Sequence, residues 1–502
     1  MVRRDVSACL IVKDAKATLP RCLESIRDLV GEFVVVDTGS SDGTPARAEA
    51  LGARVYHFPW TDDFAAARNE ALHHATGRWV LSLDADEYLD EANRAQFRDL
   101  TANLPEEDAA YVLTMRSPMP GGSFLDIQNV RLFRNHPRIR WQYRVHEQLG
   151  PALARAGHPI RLTGVVIHHA GYQDARTRLR KIERNARLLE LDLRDRAEDA
   201  FVLFNLGTAY EELGRTEQAI ALLRRSLRLA PLEMSTLCDA HAALLQCHRR
   251  LGQREEAWAV CREGRQRFPA DVVLWFWEAQ LRRDQGDLRG AEQCLLGLLR
   301  AAPGASLGAT DTALRGYVAP HTLGLVYLEQ GRLPEAEKLW QAVVAGFPFY
   351  RESWQMLGEL YFRQQRWADL EAVIRRFEAD AGAAEDGAVL RARGHLARKE
   401  FGAARGILER LIAQSPDALA PRFYLTHVLL GEGKDWAAAE RALRELLRVD
   451  PTQAQGWYNL AALLRRQNRH REAREACNTG RRHCPGDRHL AALQQAMHGG
   501  KT

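Results

Sequence analysis

The stretch Val34-Val35-Val36-Asp37-Thr38-Gly39-Ser40-Ser41-Asp42-Gly43-Thr44 decides the fold of this chain. Phe33 to Val36 is a short apolar, β-branched run that reads as a buried strand. The polar, glycine-bearing residues that stop it read as a turn, followed by a helix over Pro45 to Leu51. Working outward, residues 6–12 (VSACLIV) and 79–83 (WVLSL) repeat the apolar run, and Leu19 to Ile26 supplies a helical pattern after the first of them. Strand, helix, strand, helix predicts a parallel sheet covered by helices, because parallel strands need crossover connections. In such sheets ligands collect beyond the carboxyl ends of the strands. Asp37 stands at one such end, and Asp84-Ala85-Asp86-Glu87 at another.

From about residue 198 the strand signal fades and a helical period takes over. Pro231, Pro269, Pro303, Pro348, Pro416, Pro451 and Pro485 fall at intervals of 38, 34, 45, 68, 35 and 34 residues, the fourth being twice 34. The positions Asn205-Leu206-Gly207-Thr208-Ala209-Tyr210, Gly214 and Ala219 recur as Thr322-Leu323-Gly324-Leu325-Val326-Tyr327, Gly331 and Ala336. Trp354 to Tyr361 and Trp457 to Ala461 repeat the same theme. This pattern resembles the tetratricopeptide repeat, with eight units expected and the weakest at 271–303 and 382–416. Such units bury their apolar faces only by stacking on neighbours. Gly304 to Gly316 is expected to be a loop between repeats. The predicted organisation is an α/β domain over residues 1–172, a connecting helix over 173–197, and an all-α solenoid over 198–498.

A chain of 502 residues exceeds the size at which single cores stop growing, so several structural units are expected. Seventy basic residues against 65 acidic ones leave a net charge of only +5, without a long single-sign block, so nucleic acid is not an expected partner. The eight cysteines show no C-x-x-C spacing and read as reduced thiols. No apolar run reaches membrane-spanning length and Ala8 to Val12 is too short for a signal-peptide core, so a cytoplasmic location is expected.

The motif Asp37-Thr38-Gly39-Ser40-Ser41-Asp42-Gly43-Thr44 at a strand end resembles the nucleotide-binding segment of the family 2 glycosyltransferases, with the D-x-x-S-x-D-G-T spacing intact. Asp84-Ala85-Asp86 resembles their D-x-D site, and Phe64-Ala65-Ala66-Ala67-Arg68-Asn69 their A-R-N helix in members fused to tetratricopeptide repeats. The resemblance implies a GT-A type, Rossmann-like domain that binds a nucleotide-sugar donor, usually a uridine diphosphate sugar. It further implies that Asp37 accepts a hydrogen bond from the base, that Arg68 contacts the nucleotide, that Asp84 lies near the ribose and that Asp86 binds a divalent metal, manganese or magnesium. The metal follows from chemistry as well. Two carboxylates one residue apart at a strand end offer hard oxygen ligands, and a cation neutralises the diphosphate as it leaves. Simpler readings remain beside these: Asp37 caps its turn, Asp42 caps the next helix, and Arg68 makes a surface ion pair with Asp62 or Asp63.

The segment Asn129-Val130-Arg131-Leu132-Phe133-Arg134, followed by Arg140 to Leu149, resembles the acceptor side of the same subgroup. Glu147 is the candidate general base, with Asp126 as the alternative, and His146 orients the base, binds metal or packs. Ile167-His168-His169-Ala170-Gly171-Tyr172 resembles the family's H-x-G-Y segment, which makes His169 a metal or phosphate contact. Lys13-Asp14-Ala15-Lys16 departs from the asparagine and acidic residues that relatives often carry there. The expected activity is an inverting transfer of a sugar to a peptide, protein or glycan acceptor recruited by the repeats. Some resembling fusions glycosylate peptides. The alternatives are a non-catalytic adaptor whose first domain is vestigial, and another nucleotide-dependent transferase. The latter would carry a glycine-rich phosphate loop after the first strand, where this chain has none.

Overall fold

The computed structural model of the protein describes residues 5–118, 124–169, 175–231, 236–301, 313–380 and 382–498. Two compact units divide it, residues 1–350 and 351–502. The first opens with β1 (Val6–Val12), α1 (Leu19–Ile26), β2 (Glu32–Asp37), α2 (Thr44–Ala50), β3 (Arg54–His57), α3 (Phe64–His74) and β4 (Trp79–Asp84). There follow β5 (Glu87–Tyr88), α4 (Glu91–Ala102), β6 (Ala110–Pro118), β7 (Phe124–Arg134), α5 (Gly150–Ala156) and β8 (Ile160–His169).

Among the described residues these strands form one sheet in the order β3-β2-β1-β4-β7-β6-β8-β5. The four strands from β3 to β4 run parallel, but β7 is antiparallel to β4 and β6 to β7. The sheet is therefore mixed, not the wholly parallel one expected. Its second half is built on the antiparallel pair β6–β7, which needs no crossover helix, with β8 added parallel to β6.

Side chains alternate across the parallel half with the period of 2 that a strand imposes. Val6, Ala8, Leu10, Val35, Leu81 and Leu83 join the core with α1 and Phe97 of α4. Cys9, Val34, Val36 and Val80 join the opposite core, with Ala71 and Leu72 of α3 and Leu153 of α5. Each buried aliphatic side chain contributes about 1.5–3 kcal/mol. With both faces covered in this way, the strand ends are left as the accessible part of the sheet. Gly77, just before β4, is required by close approach: a Cβ there would meet the Ser7 amide nitrogen at 2.8 Å and the Asp5 carbonyl oxygen at 2.9 Å.

Beyond β8 come α6 (Ala175–Asp195) and a succession of antiparallel helix pairs. In the first unit these are α7 (Ala200–Glu212) with α8 (Thr216–Leu229), α9 (Leu237–Arg250) with α10 (Arg254–Arg267), α11 (Val272–Asp284) with α12 (Leu288–Arg300), and α13 (Ala319–Glu329) with α14 (Leu333–Gly346). The second unit holds four more pairs, from Arg351–Arg363 to His470–His483, and a last helix at Arg488–His498. The two regions weakest in sequence both form helix pairs, Val272–Arg300 and Ala384–Gln414.

The marker prolines have a structural counterpart twelve residues earlier: Ala219, Ala257, Ala291, Ala336, Ala404, Ala439 and Ala473 are all 0–1% exposed. A methyl side chain there lets the two helices of a pair approach closely. Gly324 serves the same end, since a Cβ on it would run into the Trp340 indole. Of the loop expected at Gly304 to Gly316, residues 304–312 lie outside the described residues. The final four are helical instead, Ala313 leading into a π-helical turn at Leu314–Val318 that continues directly into α13.

His321 of α13 is 8% exposed, close to the rings of Trp340 and Tyr350. Burial, reinforced by the charge of Arg283, pushes its imidazole down to about 4. The unfolded chain takes up a proton near pH 6.5 that the folded chain refuses, so stability is fully present above that pH and falls as pH drops toward 4. The loss attributable to this group is about 3 kcal/mol. Urea unfolding at pH 7 and pH 4.5 should show it in the wild type and show much less of it in His321→Gln; equal slopes would contradict this assignment.

Candidate active site

The register of the parallel strands sets the site. Asp37 lies opposite Val12, and Asp84 opposite Ile11, so the ends of β2 and β4 flank β1. Their backbones are two strand spacings apart, about 10 Å. By the alternation described above, Asp37 follows the α1 face and Asp84 the α3 face.

Asp37 is 3% exposed and turned onto its own turn. It accepts hydrogen bonds from the amides of Gly39 and Ser40 at 3.2 Å, and His57 Nδ1 lies 3.4 Å away. Gly39 at φ +102° and Gly43 at φ +84° supply the left-handed backbone that this turn needs. Asp42 accepts from the amides of Lys16 and Thr44, which ties the turn to the loop after β1.

Arg68, on α3, is the hub of the α3 side. Its Nε donates to Glu147 Oε1 at 2.8 Å, one terminal nitrogen to Asp84 Oδ1 at 2.8 Å and the other to Ser82 Oγ at 3.2 Å, and its guanidinium sits 5.2 Å from the centroid of Trp141. One planar fork thus joins residues from α3, β4 and the segment before α5. Neither surface ion pair considered for it forms: Asp62 binds Arg187 through two 2.7 Å bonds, and Asp63 caps α3 by accepting from the Ala66 amide.

Burial alone would raise the Asp84 carboxyl, but the charges of Arg68 and Arg131 outweigh it and hold that group well below the usual carboxylate range. Glu87, wholly buried, goes the other way. Burial pushes it up to about 7 against the pull of Arg131, which donates to Glu87 Oε1 at 2.7 Å. The other oxygen of Glu87 accepts the Asp84 amide at 2.8 Å, so this carboxylate fixes the start of the D-x-D turn.

Asp86 is one-third exposed and lies 3.0 Å from His169 Nε2. Strand β5 pairs antiparallel with the end of β8, with Glu87 opposite His169, and this brings the two together. The bond to Asp86 raises the His169 imidazole above its ordinary value, outweighing burial. Among the described residues no three His, Cys, Asp or Glu side chains are gathered as a complete metal site. A carboxylate beside an imidazole nevertheless fits a divalent cation of the magnesium or manganese type, which keeps several positions for water and phosphate oxygens.

The structure therefore brings together Arg68, Asp84 and Glu147 in one cluster and Asp86 with His169 in another, and it leaves Asp37 in its own turn. His146 has an exposed side chain and a φ of +58°, while Asp126 is held by Arg116 through two bonds of 2.7–2.8 Å. Of the H-x-G-Y segment, Ala170, Gly171 and Tyr172 lie outside the described residues. The sequence reading gave no role to Glu87, Arg131 or Asn69. Asn69 pins Trp141 through both its amide nitrogen, at 3.0 Å, and its amide oxygen, at 2.9 Å. The signal available for it was its place beside Arg68 in the A-R-N motif, and for Arg131 its place in the acceptor-side segment Asn129 to Arg134.

Comparison with known proteins agrees with this architecture. The glycosyl transferase family 2 model matches residues 7–150. Tetratricopeptide repeat models match residues 200–232, 321–385 and 427–488. A TPR repeat-containing protein of Synechococcus elongatus is 36% identical over 311 residues, which cover 59% of this chain and 76% of the relative. Glycosyltransferase SunS of Bacillus subtilis, derived from prophage SPbeta, is 25% identical over 227 residues, 44% of this chain and 53% of SunS. The lipopolysaccharide core biosynthesis glycosyltransferase LpsC of Rhizobium meliloti is 31% identical over 158 residues, 29% of this chain and 57% of LpsC. The match thus spans little more than half the length of these two transferases. With the α/β sheet at its start and the helix pairs behind it, the chain belongs to the tetratricopeptide-repeat-containing proteins that carry a family 2 glycosyltransferase domain at the N-terminus.

Proposed function

We propose that the protein is a metal-dependent, inverting glycosyltransferase that moves a sugar from a nucleoside-diphosphate sugar, with uridine as the preferred base, to an acceptor recruited by the repeats. The observation that carries this reading is the pairing of Asp86 with His169 next to a β4 tip whose Asp84 is held ionised by Arg68 and Arg131. A divalent cation held by Asp86 and His169 would neutralise the charge that grows on the departing diphosphate. Asp37 accepts a hydrogen bond from the base and Asp84 from the ribose. Arg68 contacts the nucleotide while holding Asp84 and Glu147 in register. Glu147 uses Oε1 for Arg68 and Oε2 to take the proton of the acceptor's nucleophile as the new glycosidic bond forms. A single displacement of this kind inverts the anomeric centre.

We assign catalysis to residues 1–172, connection to 173–197 and recruitment to 198–498. A cavity of about 430 Å³ between α7, α9 and α11, lined by Thr208, Asp239, Phe276 and Trp277 among others, offers an aromatic and acidic surface for a peptide or protein acceptor. A glycan acceptor is supported by the likeness to LpsC, whose name assigns it to lipopolysaccharide core biosynthesis. All eight cysteines are free, as suits the reducing cytoplasm.

A panel of nucleotide sugars incubated with the protein and manganese should identify one donor that is hydrolysed slowly in the absence of acceptor, and chelation should stop the reaction. If no donor is turned over and none binds, the adaptor reading replaces this one.

A further inference from the structure

The segment that carries Glu147 is a closed loop. Gln142 and Gln148 exchange both main-chain hydrogen bonds, at 3.1 and 3.0 Å, and pinch off residues 143–147 between them. Inside the loop Tyr143 has φ +73° and His146 φ +58°, a left-handed conformation that costs non-glycine residues about 1–2 kcal/mol each and persists only where surrounding contacts impose it.

Those contacts come from the helices behind the catalytic domain. Asp192 of α6 is 3% exposed and accepts the main-chain amide of Arg144 at 2.8 Å, while the Arg144 side chain reaches Asp195 at 2.8 Å. The Tyr143 hydroxyl donates to Asp199, the cap of α7, at 3.0 Å, and its ring lies 4.8 Å from that of Phe201. Val145, 5% exposed, is buried in one apolar cluster with Ala186 and Leu189 of α6 and Val202 of α7. On the other side of the loop, the Arg144 carbonyl accepts the Phe64 amide at the start of the helix that bears Arg68.

We propose that α6 and the first repeat helix are part of the catalytic machinery, with Asp192 and Asp199 as positioning residues that hold the 142–148 loop so that Glu147 meets Arg68. This rests on the transferase reading above. It makes the first repeat inseparable from the site that the array serves. Helix α7 holds Tyr143 through its first turn and lines the cavity described above with Thr208, about 10 Å further along.

The test uses the full chain. Asp192→Ala should lower kcat about 10- to 100-fold, the cost of a misplaced reacting group, with the KM for donor within about twofold of wild type. Asp192→Asn retains an oxygen for the Arg144 amide and should restore kcat to within about threefold. Leu298→Ala, in the buried face of α12 and outside the first repeat, is the control for lost stability and should leave kcat within about twofold when assayed well below its Tm. Equal losses of kcat in Asp192→Ala and Leu298→Ala, or no rescue by asparagine, would overturn the proposal. Amide exchange separates its failure from that of the transferase reading. If wild type turns over no donor the latter falls, yet faster exchange across 142–148 in Asp192→Ala, with the sheet unchanged, still upholds the loop's dependence on α6. Unchanged exchange overturns it.

Discussion

Asp86→Ala is expected to lower kcat/KM for the nucleotide sugar about a thousandfold at saturating manganese, with the fold intact. The reasoning is asymmetric in a useful way. Asp86 is one-third exposed and its ion pair is with His169, so removing it takes away a half-solvated contact worth less than about 1 kcal/mol. In the proposed transfer its loss is far larger, because charge would accumulate on the leaving diphosphate only in the transition state and no other described carboxylate is as available. Asp84 is engaged by Arg68, and Glu87 by Arg131 and the Asp84 amide. Asp86→Asn keeps the shape and loses the charge, and should be nearly as damaging. Steady-state rates beside a melting curve check this: lost activity with an unchanged Tm fits, whereas a variant within about tenfold of wild type removes Asp86 from the chemistry.

Arg68→Ala should be the costliest single substitution in the cluster for stability as well as rate. Arg68 and Glu147 are each about one-seventh exposed, and the change strands Glu147 and leaves Asp84 only the longer, 3.6 Å ion pair with Arg131. Breaking a buried pair costs about 3–5 kcal/mol, and the partial exposure of Asp84 reduces the expected loss to about 2–4 kcal/mol. Arg68→Lys restores the charge but not the fork, since a single ammonium cannot serve Glu147, Asp84 and Ser82 from one plane. It should therefore recover much of the stability and little of the rate. Denaturant unfolding with parallel kinetics separates the two effects; a fully active Arg68→Lys would mean that the fork's geometry is irrelevant.

The strand tips were legible because apolar β-branched runs such as Phe33 to Val36, stopped by an acidic turn, admit few alternatives to a buried parallel strand. The repeat was legible because stacking forces the same small residue to return at Ala219, Ala257 and their successors. The mixed second half of the sheet was not, since β8 carries exposed Ile160 and Leu162 and offers no clean alternation. The partners of the charged residues were hidden for a different reason. Asp62, two residues from the helix of Arg68, pairs instead with Arg187, 125 positions away, and Arg68 reaches Glu147 across 79. Ion pairing is settled by how helices close over the sheet. Local spacing in the sequence carries no trace of that closure, and α6 in particular looked like a linker until its contacts with the 142–148 loop were seen.

Calorimetric titration of the full chain with uridine diphosphate, in manganese and again in chelator, tests most directly whether Asp86 and His169 hold a cation for a nucleoside diphosphate. Binding that requires manganese in wild type and disappears in Asp86→Ala is the expected result. Equal affinity with and without metal, or an Asp86→Ala variant that binds as wild type does, would contradict the account.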